Sequence, residues 1–271
     1  MSSSAYSPIK HLAHALFFKH DENAHYFAML TGYTGYFDAA GQRGQGKMLT
    51  VGGYIASVTR WDRFNEQWGK ILEKRSIEAF HMADFMHSES IDGKWKKDDG
   101  SAENFLMKLA SATCTAAEYM VLATVYLDDW EQLNQRYELR ETGLTPFALA
   151  GVSCIELVHR WCNKRKIPRT QIEFIFENGD LDRGHLWDIA KKHLGVQIVP
   201  RSKSLRPLQA CDLLAWDAQR AEKTFMRSTD KDKFELSGIA KQMLSRIKHN
   251  AIICQSSNLD RLCKHLHVAC R

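Results

Sequence analysis

Tyr33-Thr-Gly-Tyr-Phe-Asp38, then Ala39-Ala-Gly-Gln-Arg-Gly-Gln-Gly46, then Met48-Leu-Thr-Val-Gly-Gly-Tyr-Ile55: this stretch decides the fold. The outer segments are rich in aromatic and β-branched residues and the middle one in glycine, which predicts two antiparallel strands joined by a turn. Immediately beyond, Trp61, Phe64, Trp68, Ile71 and Leu72 recur at three- and four-residue spacing with charges between them. That period predicts an amphipathic helix folded back onto the hairpin.

Working outward, Ala79-Phe-His-Met82 reads as a short strand, and the polar loop from Ser88 to Gly100 carries Trp95 among Lys94, Lys96 and Lys97. A helix over about 102–117 leads into Met120-Val-Leu-Ala-Thr-Val-Tyr126, an apolar run expected to be buried on both faces. A helix over 128–140 follows, and Pro146 opens another that ends near Lys166 and Pro168. The rest alternates: a strand over 171–176, a helix over 181–194, a strand over 196–199, a helix from Leu205 to about Glu222, a helix from Asp230 to about His249, a strand over 251–254 and a short terminal helix. An α/β fold is expected, a mixed β-sheet flanked by helices with helical insertions, forming one domain over 30–271. The histidine-containing residues 1–29 are expected to be a loosely ordered N-terminal arm.

Composition narrows the classes of function. With 44% hydrophobic and 25% charged residues the chain of 271 residues is neither disordered nor fibrous, and it can bury a large core. Its longest uncharged stretches, Asn23 to Phe37 and Thr142 to Ile155, fall short of the roughly 20 apolar residues of a membrane helix. No secretory signal is evident. The seven cysteines contain no C-x-x-C pair, which argues for buried thiols in a reduced, cytoplasmic protein.

Three acids stand where the neighbouring residues argue against a charge: Asp38 at the end of the first strand, Glu177 at the end of Ile172 to Phe176, and Asp212 inside Leu208-Gln-Ala-Cys-Asp-Leu-Leu-Ala-Trp216. A buried carboxylate needs a cation, backbone donors or a metal. If two strand ends and a covering helix bring the three together, Mg²⁺ or Mn²⁺ would relieve their repulsion.

The pieces Tyr36-Phe-Asp-Ala-Ala-Gly41, Val51-Gly-Gly-Tyr-Ile-Ala56, Trp61 to Trp68, Phe80-His-Met-Ala-Asp84, Phe176-Glu-Asn-Gly-Asp180 and Leu208-Gln-Ala-Cys-Asp-Leu-Leu-Ala215, in that order, resemble the domain-of-unknown-function 3800 family. The resemblance covers roughly residues 30 to 255. It implies a ribonuclease H-like fold and two divalent ions held by Asp38, Glu177 and Asp212. One departure is plain: where the family commonly reads Asp-Glu-Ser-Gly, this chain has Asp38-Ala39-Ala40-Gly41, with no second carboxylate or hydroxyl.

Each acid also has an ordinary reading. Asp38 could accept hydrogen bonds from the amides of its turn, and Asp212 could bond the amides of a neighbouring strand. Asp217 lies about 140° from Asp212 around the helix and is expected at the surface. Asp180 and Asp182 suit the start of the following helix. His81 and Asp84 could line the same cleft, although Asp84 could equally cap a short helix. Lys191, Lys192, Arg201, Lys203 and Arg206 form one acid-free basic run and Arg160, Lys164, Arg165, Lys166 and Arg169 a second. Lys203, Arg201 and Arg206 are the expected substrate contacts, with Lys203 positioned to neutralise a phosphate.

The expected function is metal-dependent phosphodiester hydrolysis with nucleic acid, DNA or RNA, as partner; the chain also admits a homodimer. A rival from another class is a non-catalytic nucleic-acid-binding or regulatory module with a degenerate metal site, favoured by Ala39. A third is a hydrolase of a small phosphorylated ligand, which requires a closed pocket.

Overall fold

The computed structural model describes residues 32–41, 47–86, 100–179, 183–228 and 234–255. The expected arm, the loop around Trp95, the start of the helix expected from Asp230 and the terminal helix lie outside them. Strands β1 (Tyr33–Ala40) and β2 (Met48–Ser57) form the expected hairpin, with Tyr33 opposite Ser57 and Ala40 opposite Thr50. Gly53 faces Phe37, and a Cβ there would run into the Phe37 ring and the Tyr36 carbonyl, so only glycine lets these strands close. Strand β3 (Tyr119–Tyr126) pairs antiparallel to β2. Strands β4 (Ile172–Glu177), β5 (Ile198–Arg201) and β6 (His249–Cys254) all pair in parallel, β4 with β1, β5 with β4 and β6 with β3.

The result is one six-stranded sheet in the order β5-β4-β1-β2-β3-β6. An antiparallel three-strand meander continued through its first strand by two parallel strands is the ribonuclease H-like arrangement, here extended by β6. The α/β expectation of a mixed sheet flanked by helices is met.

Period-2 alternation divides the strand side chains between two apolar layers. Phe37, Val51, Ile55, Val121, Phe174 and Phe176 point to one, where they meet the long helix α5 (Pro146–Arg165), its neighbour α6 (Arg183–Ile189) and α4 (Leu127–Tyr137). Phe37 and Phe176 stack with ring centroids 4.5 Å apart. Tyr36, Tyr54, Met120, Ile175 and Val199 point to the other, beneath α1 (Val58–Glu73), α3 (Ser101–Ala116), α7 (Arg206–Arg227) and α8 (Gly238–Arg246). The aromatic stripe of α1 is core: Trp61, Phe64 and Trp68 are all fully buried, and Trp61 donates Nε1–H to the Thr34 carbonyl at 2.9 Å. Thiols act as small core donors from both layers, Cys154 to the Val51 carbonyl and Cys211 to the Tyr36 carbonyl.

Helix α5 begins as its sequence dictates. Thr145 Oγ1 accepts from the Ala148 amide at 3.2 Å and Pro146 fills the first turn. Its far end turns left-handed at Lys166, φ 57°. The helix expected over 181–194 is instead α6 followed by a π-helical turn at Ala190–Leu194, closed by left-handed Gly195.

Two expectations are corrected. Ala79–Met82 is not a strand: the chain is irregular to His81, and Met82–Met86 is a short helix, α2. Asp217 is not at the surface, being 3% exposed. It does point away from Asp212, but α8 covers that side too, and Ser237 donates to Asp217 Oδ2 at 2.7 Å while capping α8 through the Ala240 amide.

His159 on α5 is 1% exposed, and neither ring nitrogen has a hydrogen-bond partner. Burial, helped by Arg169, lowers its pKa from 6.5 to about 4. A depressed folded-state pKa means that its contribution to stability is present above pH 6.5 and is lost as pH falls through about 4. Thermal melts should therefore lose more stability on acidification across that window in the wild type than in His159→Leu; identical pH profiles would contradict this burial.

Candidate active site

β1 and β4 run in parallel with Phe37 opposite Phe176, and the next residue of each strand is an acid, Asp38 and Glu177. Since Phe37 and Phe176 fill the α5 layer, alternation sends both acids to the opposite layer, under α7. Asp212 comes down onto that layer from the second turn of α7, among buried Leu208, Cys211 and Leu213. The fold therefore brings the three predicted acids to one end of the sheet on one face.

The contacts are uneven. Asp38 has only 2% of its side chain exposed. Its Oδ1 accepts from the Ala39 amide at 2.8 Å, the turn-type hydrogen bond that the ordinary reading anticipated. Its Oδ2 has no hydrogen-bond partner; the Lys203 ammonium lies 3.1 Å away as an ion pair without hydrogen-bond alignment. The same Nζ is 3.3 Å from Asp212 Oδ1. Asp212 Oδ2 accepts from the Met82 amide at 2.7 Å and lies 3.6 Å from His81 Nδ1. One ammonium thus bridges two carboxylates, and Asp212 anchors the first turn of α2.

Glu177 stands beside this trio and does not close it. It is half-buried, its Oε2 accepts from the Gly179 amide at 2.5 Å, and its carboxylate adds to the field that favours a charged Lys203. Glu177, Gly179, Lys203, Ser204, Ala79 and His81 line an open pocket of about 480 Å³. Among the described residues no group of three or more acidic, histidine or cysteine side chains is close enough to hold a metal ion.

The electrostatics follow from burial. Desolvation would lower the Lys203 pKa, but Asp38, Asp212 and Glu177 outweigh it and raise the pKa, so the side chain stays protonated. Asp38 is pushed well above the usual carboxylate range by desolvation and by Asp212, with Lys203 opposing. The donor set is all oxygen, as Mg²⁺ or Mn²⁺ requires, and one oxygen of each buried carboxylate meets a single cation position, now held by the Lys203 ammonium.

The other predicted residues divide. His81 reaches the site, whereas Asp84 is exposed on α2. Asp180 lies outside the described residues. Arg201 extends β5 beside Glu177, donates to the Pro200 carbonyl, and opposes the burial that raises Glu173 to about 7. Arg206, an expected substrate contact, donates to the Asn65 carbonyl at 2.6 Å and lies over Gly69, whose missing side chain makes the space. The basic run from Arg160 to Arg169 lies at the other end of the sheet, where Trp161 packs on Tyr33, the first residue of β1.

Gln209, which its spacing places on the Asp212 face of the helix, organises the site. It is 1% exposed, and its Oε1 accepts from Trp68 Nε1 at 2.9 Å and from the Phe80 amide at 3.2 Å. Its Nε2 donates to the Lys203 carbonyl at 3.0 Å. One amide thereby ties α1, the segment before α2 and the Lys203 loop together. Its face was legible from the spacing to Asp212; its partners Trp68 and Phe80, distant in the chain, were not.

No family model matches the chain, and no curated protein matches it. Among solved structures it is similar to the ribonuclease HII of Archaeoglobus fulgidus in complex with PCNA, at 14% identity, covering 78% of this chain and 86% of that one, TM-score 0.38. It is also similar to Bst-RNase HIII in complex with Mn²⁺, at 9% identity, covering 80% of this chain and 71% of that one, TM-score 0.37. The fold reading stands on strand order and orientation. No described helix is long and apolar enough to cross a membrane.

Proposed function

We propose that this chain hydrolyses phosphodiester bonds in nucleic acid with the help of divalent metal, in line with its resemblance to the domain-of-unknown-function 3800 family. The observation that carries the reading is the pair Asp38 Oδ2 and Asp212 Oδ1, a buried oxygen without a hydrogen-bond partner and a second carboxylate, balanced by a single ammonium at the rim of an open pocket. Asp38 and Asp212 would hold one Mg²⁺ or Mn²⁺, which commonly takes one or two carboxylates and completes its shell with water and substrate phosphate. Glu177 is the ligand available for a second ion. Held there, such ions would lower the pKa of an attacking water and neutralise the charge of the leaving oxygen. The chain's own groups do the rest: Lys203 meets phosphate charge, and His81, beside Asp212 and partly exposed in the pocket, is placed to carry a proton. An open pocket favours a polymer over a small phosphorylated ligand.

A specific observation supports the rival reading, a nucleic-acid-binding module without catalysis: Lys203 already balances the acids. One experiment separates the two. Labelled single- and double-stranded DNA, RNA and RNA–DNA hybrid are incubated with Mn²⁺, with and without excess EDTA. Cleavage that EDTA abolishes is expected. Binding without cleavage would favour the rival, and cleavage that persists in EDTA would overturn the metal assignment.

A further inference from the structure

We propose that Lys203 is a built-in counter-ion of the Asp38–Asp212 pair, a competitor that a divalent ion must displace before the site can work. The inference rests on the metal reading above and specifies how that site is regulated.

The geometry makes the competition direct. The Lys203 ammonium contacts one oxygen of each carboxylate, 3.1 and 3.3 Å away, so it occupies the position from which a cation would touch both. The remaining oxygens are committed elsewhere, Asp38 Oδ1 to the Ala39 amide and Asp212 Oδ2 to the Met82 amide. The two oxygens that face the ammonium are therefore the two left for a metal.

The construction also permits exchange. Lys203 belongs to the short segment between β5 and α7, and Gln209 holds its carbonyl while Ser202 and Ser204 join hydroxyls at 2.6 Å. The backbone is fixed, yet the side chain has four flexible carbons and is 21% exposed, against 2% for Asp38. The pocket beside it, lined by His81, Glu177, Gly179 and Ser204, gives the displaced ammonium somewhere to go. Charge favours the exchange when substrate is present. A dication brings more positive charge to the acids than one ammonium does, and its binding frees the ammonium for a phosphate. The chain's own lysine thus stabilises the acids before metal arrives, and metal and phosphate would load together.

The test uses the full-length chain and Mn²⁺ alone. Free Mn²⁺ is counted by its paramagnetic resonance signal in titrations of wild type, Lys203→Met and Asp38→Asn. Losing a partly buried competitor should tighten Mn²⁺ binding at least about tenfold in Lys203→Met, while Asp38→Asn should abolish it. In the unsubstituted protein, reductive methylation of Lys203 followed by mass spectrometry should speed up several-fold when Mn²⁺ binds, a result independent of how well the variant folds. Equal affinity of wild type and Lys203→Met, or unchanged methylation on binding, overturns the competition and leaves the metal reading standing. No Mn²⁺ binding by either protein, or binding that Asp38→Asn does not weaken, overturns the metal reading together with this inference.

Discussion

Asp38→Asn and Asp212→Asn should each lower Mn²⁺-dependent cleavage at least about 100-fold, because loss of groups that merely orient metal ligands already costs about 10- to 100-fold. The two variants should part in stability. In Asp38→Asn the side-chain amide oxygen can still accept from the Ala39 N–H, and the substitution removes a charge from a side chain only 2% exposed. Burial raises the folded-state pKa of Asp38, so its contribution to stability is complete below the ordinary value of 3.8 and is lost as pH rises through the folded value. Asp38→Asn removes that burial cost and gives up half of the Lys203 bridge, so its Tm should stay close to that of the wild type while activity is lost. Asp212→Asn keeps an acceptor for the Met82 amide but gives up half of the Lys203 bridge, so its Tm should fall slightly. Cleavage assays and thermal melts on the same preparations check both; activity that survives both substitutions would remove these acids from the mechanism.

Gln209→Ala should cost about 2–6 kcal/mol, since two buried donors, Trp68 Nε1 and the Phe80 amide, lose their partner at about 1–3 kcal/mol each, while the part-buried Lys203 carbonyl can turn to water. Urea denaturation gives the difference directly. A loss under about 1 kcal/mol for Gln209→Ala would mean that water replaces the amide at all three points, and the site would then be looser than its geometry indicates.

The hairpin was legible because its signals are local: strand-forming residues on either side of a glycine-rich turn. The α1 stripe was legible for the same reason, since Trp61, Phe64 and Trp68 share one helical face. Asp38, Glu177 and Asp212 were found because each breaks an apolar run, and the parallel pairing of β1 with β4 then placed two of them at neighbouring strand ends. What escaped notice depends on partners distant in the chain. Ala79 to Met82 looked like a strand because it is extended and apolar, yet the Phe80 and Met82 amides bond side chains of α7 instead of a neighbouring strand. Lys203 was visible as a charge, but its direction was not. Asp217 was correctly placed off the Asp212 face, and the error lay in treating the other face as solvent when α8 lies against it.

The order in which these partners come together has a consequence for biosynthesis. Cys211 bonds the Tyr36 carbonyl across 175 residues of chain, and Asp212 is its neighbour. At about 5–20 residues per second, β1 leaves the ribosome roughly 10–35 seconds before the helix that packs Asp212 and Cys211 against it. For most of that interval β1 and β2 can pair with each other but β4, the parallel partner of β1, has not yet been made, and the open edge of β1 is a hazard for mispairing. Asp38, a charge at the end of that edge, would then discourage wrong partners in the nascent chain.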